Sequence, residues 1–130
     1  MRKNALVTAA IAAVLCCMGP ASAADVSATA GVGPMPGSCP GMIRFNATIT
    51  AQHWGPTALR QIQYRWIRDD GGNSPTHTLN FPRGSSQTRN VSTTWTLGVR
   101  HTGWEAVQIT YPQSMTSNYA NFRFGCRDRR

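Results

Sequence analysis

Three histidines, His53, His77 and His101, recur at an equal spacing of 24 residues and are the side chains best suited to bind a transition metal. If successive strands stacked in register, the three imidazoles would meet at one end of the fold and could bind zinc or copper. Each lies in or beside a turn-rich segment, however, and none has a second ligand at the short spacings typical of metal motifs. The sequence therefore favours exposed loop histidines and predicts no metal site.

Hydrolytic chemistry requires a nucleophile, a base within hydrogen-bond reach and a third group that orients the base. Serine and threonine are frequent, but no serine lies in the Gly-x-Ser-x-Gly pattern of a nucleophile elbow. Asp69 and Asp70 are neighbours in a predicted turn and Glu105 stands alone, so no pair of carboxylates is placed for glycoside cleavage. We therefore expect no enzymatic activity, no catalytic residues and no cofactor, and a small hydrolase or metal protein is the least favoured alternative.

The N-terminal segment 1–23 has the features of a secretory signal peptide: a basic start, an apolar run over 5–18 and a small-x-small cleavage site that ends at Ala23. The apolar run is too short to span a bilayer, and no later run is continuously apolar. Cleavage before Cys16 or Cys17 with lipid attachment is the alternative, but the residues ahead of these cysteines do not resemble such a site. The sequence predicts a secreted protein, periplasmic or extracellular, without a transmembrane segment.

Only two cysteines, Cys39 and Cys126, follow the predicted signal peptide. Export places both in an oxidising compartment, where they can form a disulfide. The bridge would close a loop of about 87 residues. On the chain-entropy model such a loop stabilises the fold by about 4 to 5 kcal/mol.

Arginine carries almost all of the positive charge. The whole chain has 13 lysine and arginine residues against 5 acidic ones, for a formal net charge of +8, and lysine is absent after Lys3. This balance favours acidic polymers, anionic lipid headgroups or nucleic acid at low salt. One functional hypothesis is therefore an electrostatic binder of nucleic acid, lipopolysaccharide or acidic glycan, whose affinity would fall steeply with salt.

The elements that position these side chains are predicted to be strands. Apolar and polar residues alternate with a period of two, and glycine, proline and asparagine turns separate the runs. The alternating runs cover 43–50, 62–66, 76–81, 91–99, 104–111 and 118–126. No segment has a sustained helical period, so about six or seven short strands predict an all-β, antiparallel sandwich.

The chain is predicted to contain a single folded domain, since about 106 residues remain after the signal peptide. The Gly/Pro-rich segment 24–38 has no period that could bury a face and is expected to be a flexible, extended lead-in. The sandwich is expected over 39–126, and the basic tail 127–130 lies beyond the disulfide.

The sequence resembles small secreted bacterial proteins with an immunoglobulin-like domain. Tyr64-Arg65-Trp66 stands as the central tryptophan strand, Asp70-Gly71 as the turn after it, and 117–122 leads into a final strand that ends in Cys126. In antibody-type domains the cysteines flank the tryptophan strand, whereas Cys39 here precedes its strand. The resemblance implies an immunoglobulin-like β-sandwich and brings no catalytic residues with it, because this fold has many unrelated functions.

In an immunoglobulin-like strand order, polar and aromatic side chains of three neighbouring strands share one outward surface. This predicted binding face comprises Gln63, Arg65, Gln108, Thr110, Tyr119, Asn121 and Arg123. Arginine and tyrosine are favoured anchors of recognition, although an ordinary solvated sheet has the same alternation. Trp54 and Trp104, each in or near a loop beside a histidine, either extend this surface or plug the ends of the sandwich. The leading hypothesis is a secreted, non-enzymatic binding module whose partner is a protein or another ligand of the envelope or cell exterior.

Overall fold

The computed structural model describes residues 24–126, which form eight β-strands and no helix. The strands are β1 (Asp25–Val32), β2 (Gly41–Gln52), β3 (Gln61–Arg68), β4 (His77–Asn80), β5 (Thr88–Leu97), β6 (His101–Tyr111), β7 (Met115–Thr116) and β8 (Ala120–Phe124). The predicted signal peptide 1–23 and basic tail 127–130 lie outside the described residues. Within 24–126, no helix is long and apolar enough to cross a membrane.

Two antiparallel sheets make up the fold. The first has three strands in the order β1-β2-β5. The second has five: β4, β3 and β6 follow one another, and both β7 and β8 pair with the far side of β6. The all-β, antiparallel prediction is confirmed.

The inward faces of the two sheets share one hydrophobic core. Along β2, Ile43, Phe45 and Ile49 are fully buried and alternate with exposed polar residues. The second sheet contributes Ile62 and Val107 among others, and Phe45 meets Phe122 edge to face with ring centroids 5.5 Å apart. Burial of each such large side chain contributes roughly 1.5 to 3 kcal/mol. The period-two pattern read from the sequence is therefore the pattern that builds the core.

The first strand was missed by the sequence analysis. β1 pairs with β2 residue by residue from Asp25 opposite Gln52 to Val32 opposite Phe45, so this part of the predicted flexible lead-in is a strand with one face turned to the core. Its inward side chains are Val26, Ala28, Ala30 and Val32, and such small residues give a weak hydrophobic signal. The side-chain amide of Asn118 also donates to the carbonyl of Ala30 at 2.9 Å and accepts from its N–H at 2.8 Å, which ties β1 to the second sheet.

The predicted disulfide between Cys39 and Cys126 is present, with the two Cα atoms 5.1 Å apart. Cys39 lies just before β2 in the first sheet, and Cys126 lies just after β8 in the second. The bridge therefore joins the two sheets at one end of the molecule. This end also contains the first residues of β6, where the candidate site begins.

Candidate functional site

The outward side of the five-stranded sheet, hereafter the aromatic face, combines aromatic, amide and guanidinium side chains. Val107 and Ile109 of β6 point into the core, so the intervening Gln108 and, by the same alternation, Trp104 point outwards. The outward side chains of β3, β6, β7 and β8, together with Tyr119, include no carboxylate. The face is therefore cationic.

Arg65 and Gln108 are directly opposite each other on β3 and β6. The guanidinium Nε of Arg65 donates to the side-chain oxygen of Gln108 at 2.7 Å, and both residues are half-buried. Next to them the pairing is irregular, and the hydroxyl of Thr110 donates to the backbone carbonyl of Gln63 at 3.3 Å. The structure thus brings these four members of the predicted binding face together in one patch.

Trp104 and Tyr119 form a stacked pair on this face, with ring centroids 3.9 Å apart and ring planes within 7°. Tyr119 is 50% exposed, so the surface of the pair that is not used in stacking is open to solvent. Asn121 lies opposite Trp104 and donates from its side-chain amide to the Tyr119 carbonyl at 3.3 Å. Trp104 is therefore fixed by the pairing of β6 with β8, and Tyr119 directly precedes β8.

Trp104 begins the predicted run 104–111 and lies near a predicted loop, and the structure places it well within β6. The strand begins at His101, three residues earlier than the predicted start at position 104. The outward position of Trp104 could have been predicted from the sequence, because Trp104 has the same strand parity as Gln108.

An open cleft of about 580 Å³ lies at the end of the aromatic face, where β6 begins and β8 ends. Thr102 of β6 and Arg123 of β8 are opposite each other there. Arg100, which precedes β6, was not among the predicted site residues. The cleft is lined by Arg100, His101, Thr102, Arg123, Phe124, Gly125 and Cys126.

Asp69 supports this end of β6 from the inner side. Its two carboxylate oxygens lie 3.2 and 3.1 Å from Nε2 of His101, and the backbone N–H of Trp104 donates to one of them at 3.2 Å. Gly103 is required between these residues, since a Cβ atom there would overlap the Asp69 carboxylate and the His101 ring. Asp69 is therefore a positioning residue for Trp104, not the plain turn residue that the sequence predicted.

Glu105 is only 1% exposed and faces Arg68, its partner on β3, with 3.7 Å between Nε and Oε1. This distance is that of an ion pair, too long for a good hydrogen bond. Burial raises the pKa of Glu105 to about 7, and the charge of Arg68 counteracts only part of that effect. The Arg68 guanidinium lies 4.4 Å from the ring centroid of Trp95. The carboxylate that seemed isolated in the sequence is thus part of a buried charged group behind the aromatic face.

The histidines have separate partners. His53 Nδ1 lies 2.7 Å from Asp25 Oδ2, the ring of His77 packs against that of Tyr64 at 5.2 Å, and His101 pairs with Asp69. His53 and His77 are exposed as expected, but His101 is half-buried on β6. Among the residues that the structure describes, no group of three or more histidine, cysteine or acidic side chains is arranged to hold a metal.

Trp54 is half-buried and packs against Phe81, with ring centroids 5.8 Å apart. Arg60 lies over the Trp54 ring at 6.0 Å from its centroid. Trp54 therefore covers the core at a loop and has no place on the aromatic face. Of the two tryptophans considered from the sequence, Trp104 is the one that joins the candidate site.

Comparison with known proteins identifies no family. No family model matches the chain, and no curated protein matches it. One solved structure with some similarity is the X-ray structure of Northeast Structural Genomics Consortium target SoR45, which is 14% identical. The match covers 79% of this chain and 86% of that one, with a TM-score of 0.37. Such a low TM-score supports no conclusion about fold or function.

Proposed function

We propose that this protein is an exported, non-catalytic binding module with an immunoglobulin-like sandwich fold, and that it binds an anionic partner through the aromatic face. Export is supported by the signal-like segment 1–23, which lies outside the described residues, and by the Cys39–Cys126 bridge, which persists in oxidising compartments. The fold assignment is supported by strand order. The β1-β2-β5 and β3-β6-β8 neighbours correspond to the A-B-E and C-F-G strands of that fold.

The single observation that carries the proposed function is the Trp104–Tyr119 stack. Both rings lie on the outer side of a sheet, where the core gains nothing from them, and Tyr119 is half exposed. Aromatic rings of this kind supply rigid contact area at a low cost in conformational entropy. They are enriched at binding surfaces together with arginine.

An anionic partner is the chemistry that matches the charges of the face. Arg65, Arg100 and Arg123 lie on it or border it, and no carboxylate of the described strands points outwards there. The nearest carboxylates, those of Asp69 and Glu105, are turned inwards and paired with His101 and Arg68. A partner with acidic groups would therefore meet unopposed positive charge.

A second candidate function, charge-driven binding without a defined site, is favoured by the spread of arginine over the molecule. Residues 24–126 contain eight arginines against four acidic residues, and Arg44 lies on the outer side of the other sheet. Binding of that kind would depend on total charge and ionic strength and not on which arginine is removed.

The two candidates are separated by retention on immobilised heparin and on immobilised polyglutamate in a salt gradient. The variant Arg65→Ala/Arg123→Ala is compared with Arg44→Ala/Arg83→Ala, which removes the same charge elsewhere on the surface. We expect the first variant to elute at clearly lower salt than the second on at least one matrix. Equal elution of the two variants on both matrices would reject the aromatic face and favour binding by charge alone.

A further inference from the structure

We infer that the anionic partner is an acidic oligosaccharide in which charged and neutral sugar units alternate, with an acidic group in the Arg100/Arg123 cleft and a neutral ring on Tyr119. This inference rests on the proposed function of the aromatic face and names the chemistry of its ligand. Three features of the face carry it: the cleft, the aromatic pair and the order in which they occur along β6 and β8.

The cleft is suited to one compact oxyanion. Thr102 and Arg123 are opposite each other on the outward side, and Arg100, which directly precedes β6, lines the same opening. A guanidinium can bind a carboxylate or sulfate through two parallel hydrogen bonds. Among residues 24–126 no acidic side chain lines the cleft, and the carboxylate that pairs with its His101 is that of Asp69.

The aromatic pair is suited to an uncharged ring. The face of an aromatic ring carries negative potential, which attracts the C–H groups on one side of a sugar ring and repels a carboxylate. Trp104 stacks on Tyr119 and Asn121 donates to the Tyr119 carbonyl, so the tyrosine is already held in place before a ligand arrives. A site that needs no rearrangement loses less binding energy to ordering.

The order of these groups favours an alternating ligand over a uniformly charged one. Cationic side chains flank the aromatic pair: Arg100 and Arg123 lie towards the start of β6, and Arg65 lies opposite Gln108 further along it. From Tyr119 to Arg123 an extended chain spans about 13 Å, at roughly 3.3 Å per residue. A polymer with an anionic group on every unit, such as nucleic acid or polyglutamate, would place charge against Tyr119, where no cation of the described face is positioned.

The test is isothermal titration of the full exported chain with an oligosaccharide of alternating glucuronate and N-acetylglucosamine. A neutral N-acetylglucosamine oligomer of the same length, oligo-dT and polyglutamate are the comparison ligands. We expect the alternating oligosaccharide to bind tightest and the neutral oligomer to bind about tenfold or more weakly, a difference of about 1.4 kcal/mol. Tyr119→Ala and Arg100→Ala/Arg123→Ala should each weaken binding of the alternating oligosaccharide by a similar factor, whereas Arg44→Ala should leave it nearly unchanged.

The inference is overturned if polyglutamate or oligo-dT binds more tightly than the alternating oligosaccharide, or if Tyr119→Ala has no effect on a folded protein. In either case binding that still depends on Arg65 and Arg123, but not on Arg44, would leave the proposed binding face standing. If Arg44→Ala weakens binding as much as the variants of the aromatic face do, both this inference and the proposed binding face are rejected. Thermal unfolding of each variant establishes that the lost binding does not come from a lost fold.

Discussion

The outer faces of the two sheets differ in the side chains that they present to solvent. The three-stranded sheet has an outer face, the hydroxyl face, on which short polar groups predominate beside Met42 and Arg44; there Thr48 donates to Asn90 at 3.0 Å and the hydroxyls of Thr50 and Thr88 lie 3.3 Å apart. These groups bond to one another across strands, and threonine is a good strand former. The aromatic face instead carries the stacked rings of Trp104 and Tyr119, which lie outside the core. The comparison teaches that the cross-strand hydrogen bonds of the hydroxyl face have a role in folding, whereas the stacked rings of the aromatic face add nothing to the core; this contrast motivates the proposed binding function.

The largest expected effect concerns the disulfide and tests how much it contributes to holding the two sheets together. The disulfide closes a loop of 87 residues and joins the two sheets. The variant Cys39→Ser/Cys126→Ser should therefore lose about 4 to 5 kcal/mol of unfolding free energy in urea, because its unfolded chain is no longer restrained. The native chain under reducing agent is the control and should lose the same amount. A loss below about 1 kcal/mol would show that the sheets hold together without the bridge.

The next effect concerns the buried carboxyl group of Glu105, which lies behind the aromatic face. Glu105 has a pKa of about 7 in the folded protein against an ordinary value of 4.5, because burial disfavours its charged form. Between these values the folded state holds the proton that the unfolded state has released, so the unfolding free energy falls as pH rises from about 4.5 to 7. The fall attributable to Glu105 is on the order of 3 kcal/mol. Arg68 and Asp70 are the other charged groups that act on this carboxyl.

Urea unfolding across this pH range, compared between the native chain and Glu105→Gln, isolates that contribution. Glutamine has nearly the same shape as a protonated carboxyl but does not titrate, so the variant should resemble the native chain near pH 5 and be more stable near pH 8. Parallel pH profiles of the two proteins would contradict the assignment. Among the residues that the structure describes, Glu105 is the buried acid, and it belongs to the sheet with the candidate site.

A smaller effect is expected from Gly103→Ala, which tests how the aromatic face is positioned. The new methyl group would displace the Asp69 carboxylate from His101 and from the Trp104 N–H. Overpacking of this kind costs about 1 to 3 kcal/mol. Thermal unfolding should show the loss, and Gly98→Ala is the matched control, because a Cβ atom there meets nothing within 4 Å. Equal stability of the two variants would remove Asp69 as a positioning residue.

The smallest effects compare the two faces directly. Tyr119→Ala removes a stacked ring and should lower the unfolding free energy by about 1 kcal/mol, since such aromatic pairs contribute about 0.5 to 1.5 kcal/mol. Thr48→Ala on the hydroxyl face should change it by less than about 0.5 kcal/mol, as is usual for a surface position. If only Tyr119→Ala also reduces ligand binding, the result supports a functional difference between the two faces. If both variants reduce it, the two faces do not differ in this way.

Much of the strand architecture could be predicted from the sequence, because alternation along a strand is a local property. The runs that became β2, β3, β5, β6 and β8 each have a clear apolar parity. β1 escaped prediction since alanine and valine among serine and threonine give little contrast between its two faces. β7 is only two residues long, Met115 and Thr116, and too short to show a period.

The candidate site was only partly predictable. Arg65 and Gln108 could be placed on one face by parity and an assumed strand order, but the stacking of Trp104 on Tyr119 depends on where β8 begins and on its pairing with β6. Arg100 was missed because it lies just outside a strand. Glu105 seemed isolated because its partner Arg68 is 37 positions away in the chain.

By itself the sequence determined the strand class, the pair of cysteines able to form a bridge and the excess of arginine, since each depends on residue type and short-range order. Only the tertiary structure decided which side chains meet: Trp104 with Tyr119, Asp69 with His101, and Arg68 with Glu105. The physical reason is register. A shift of one residue between two paired strands would leave every local pattern intact and yet separate each of these pairs.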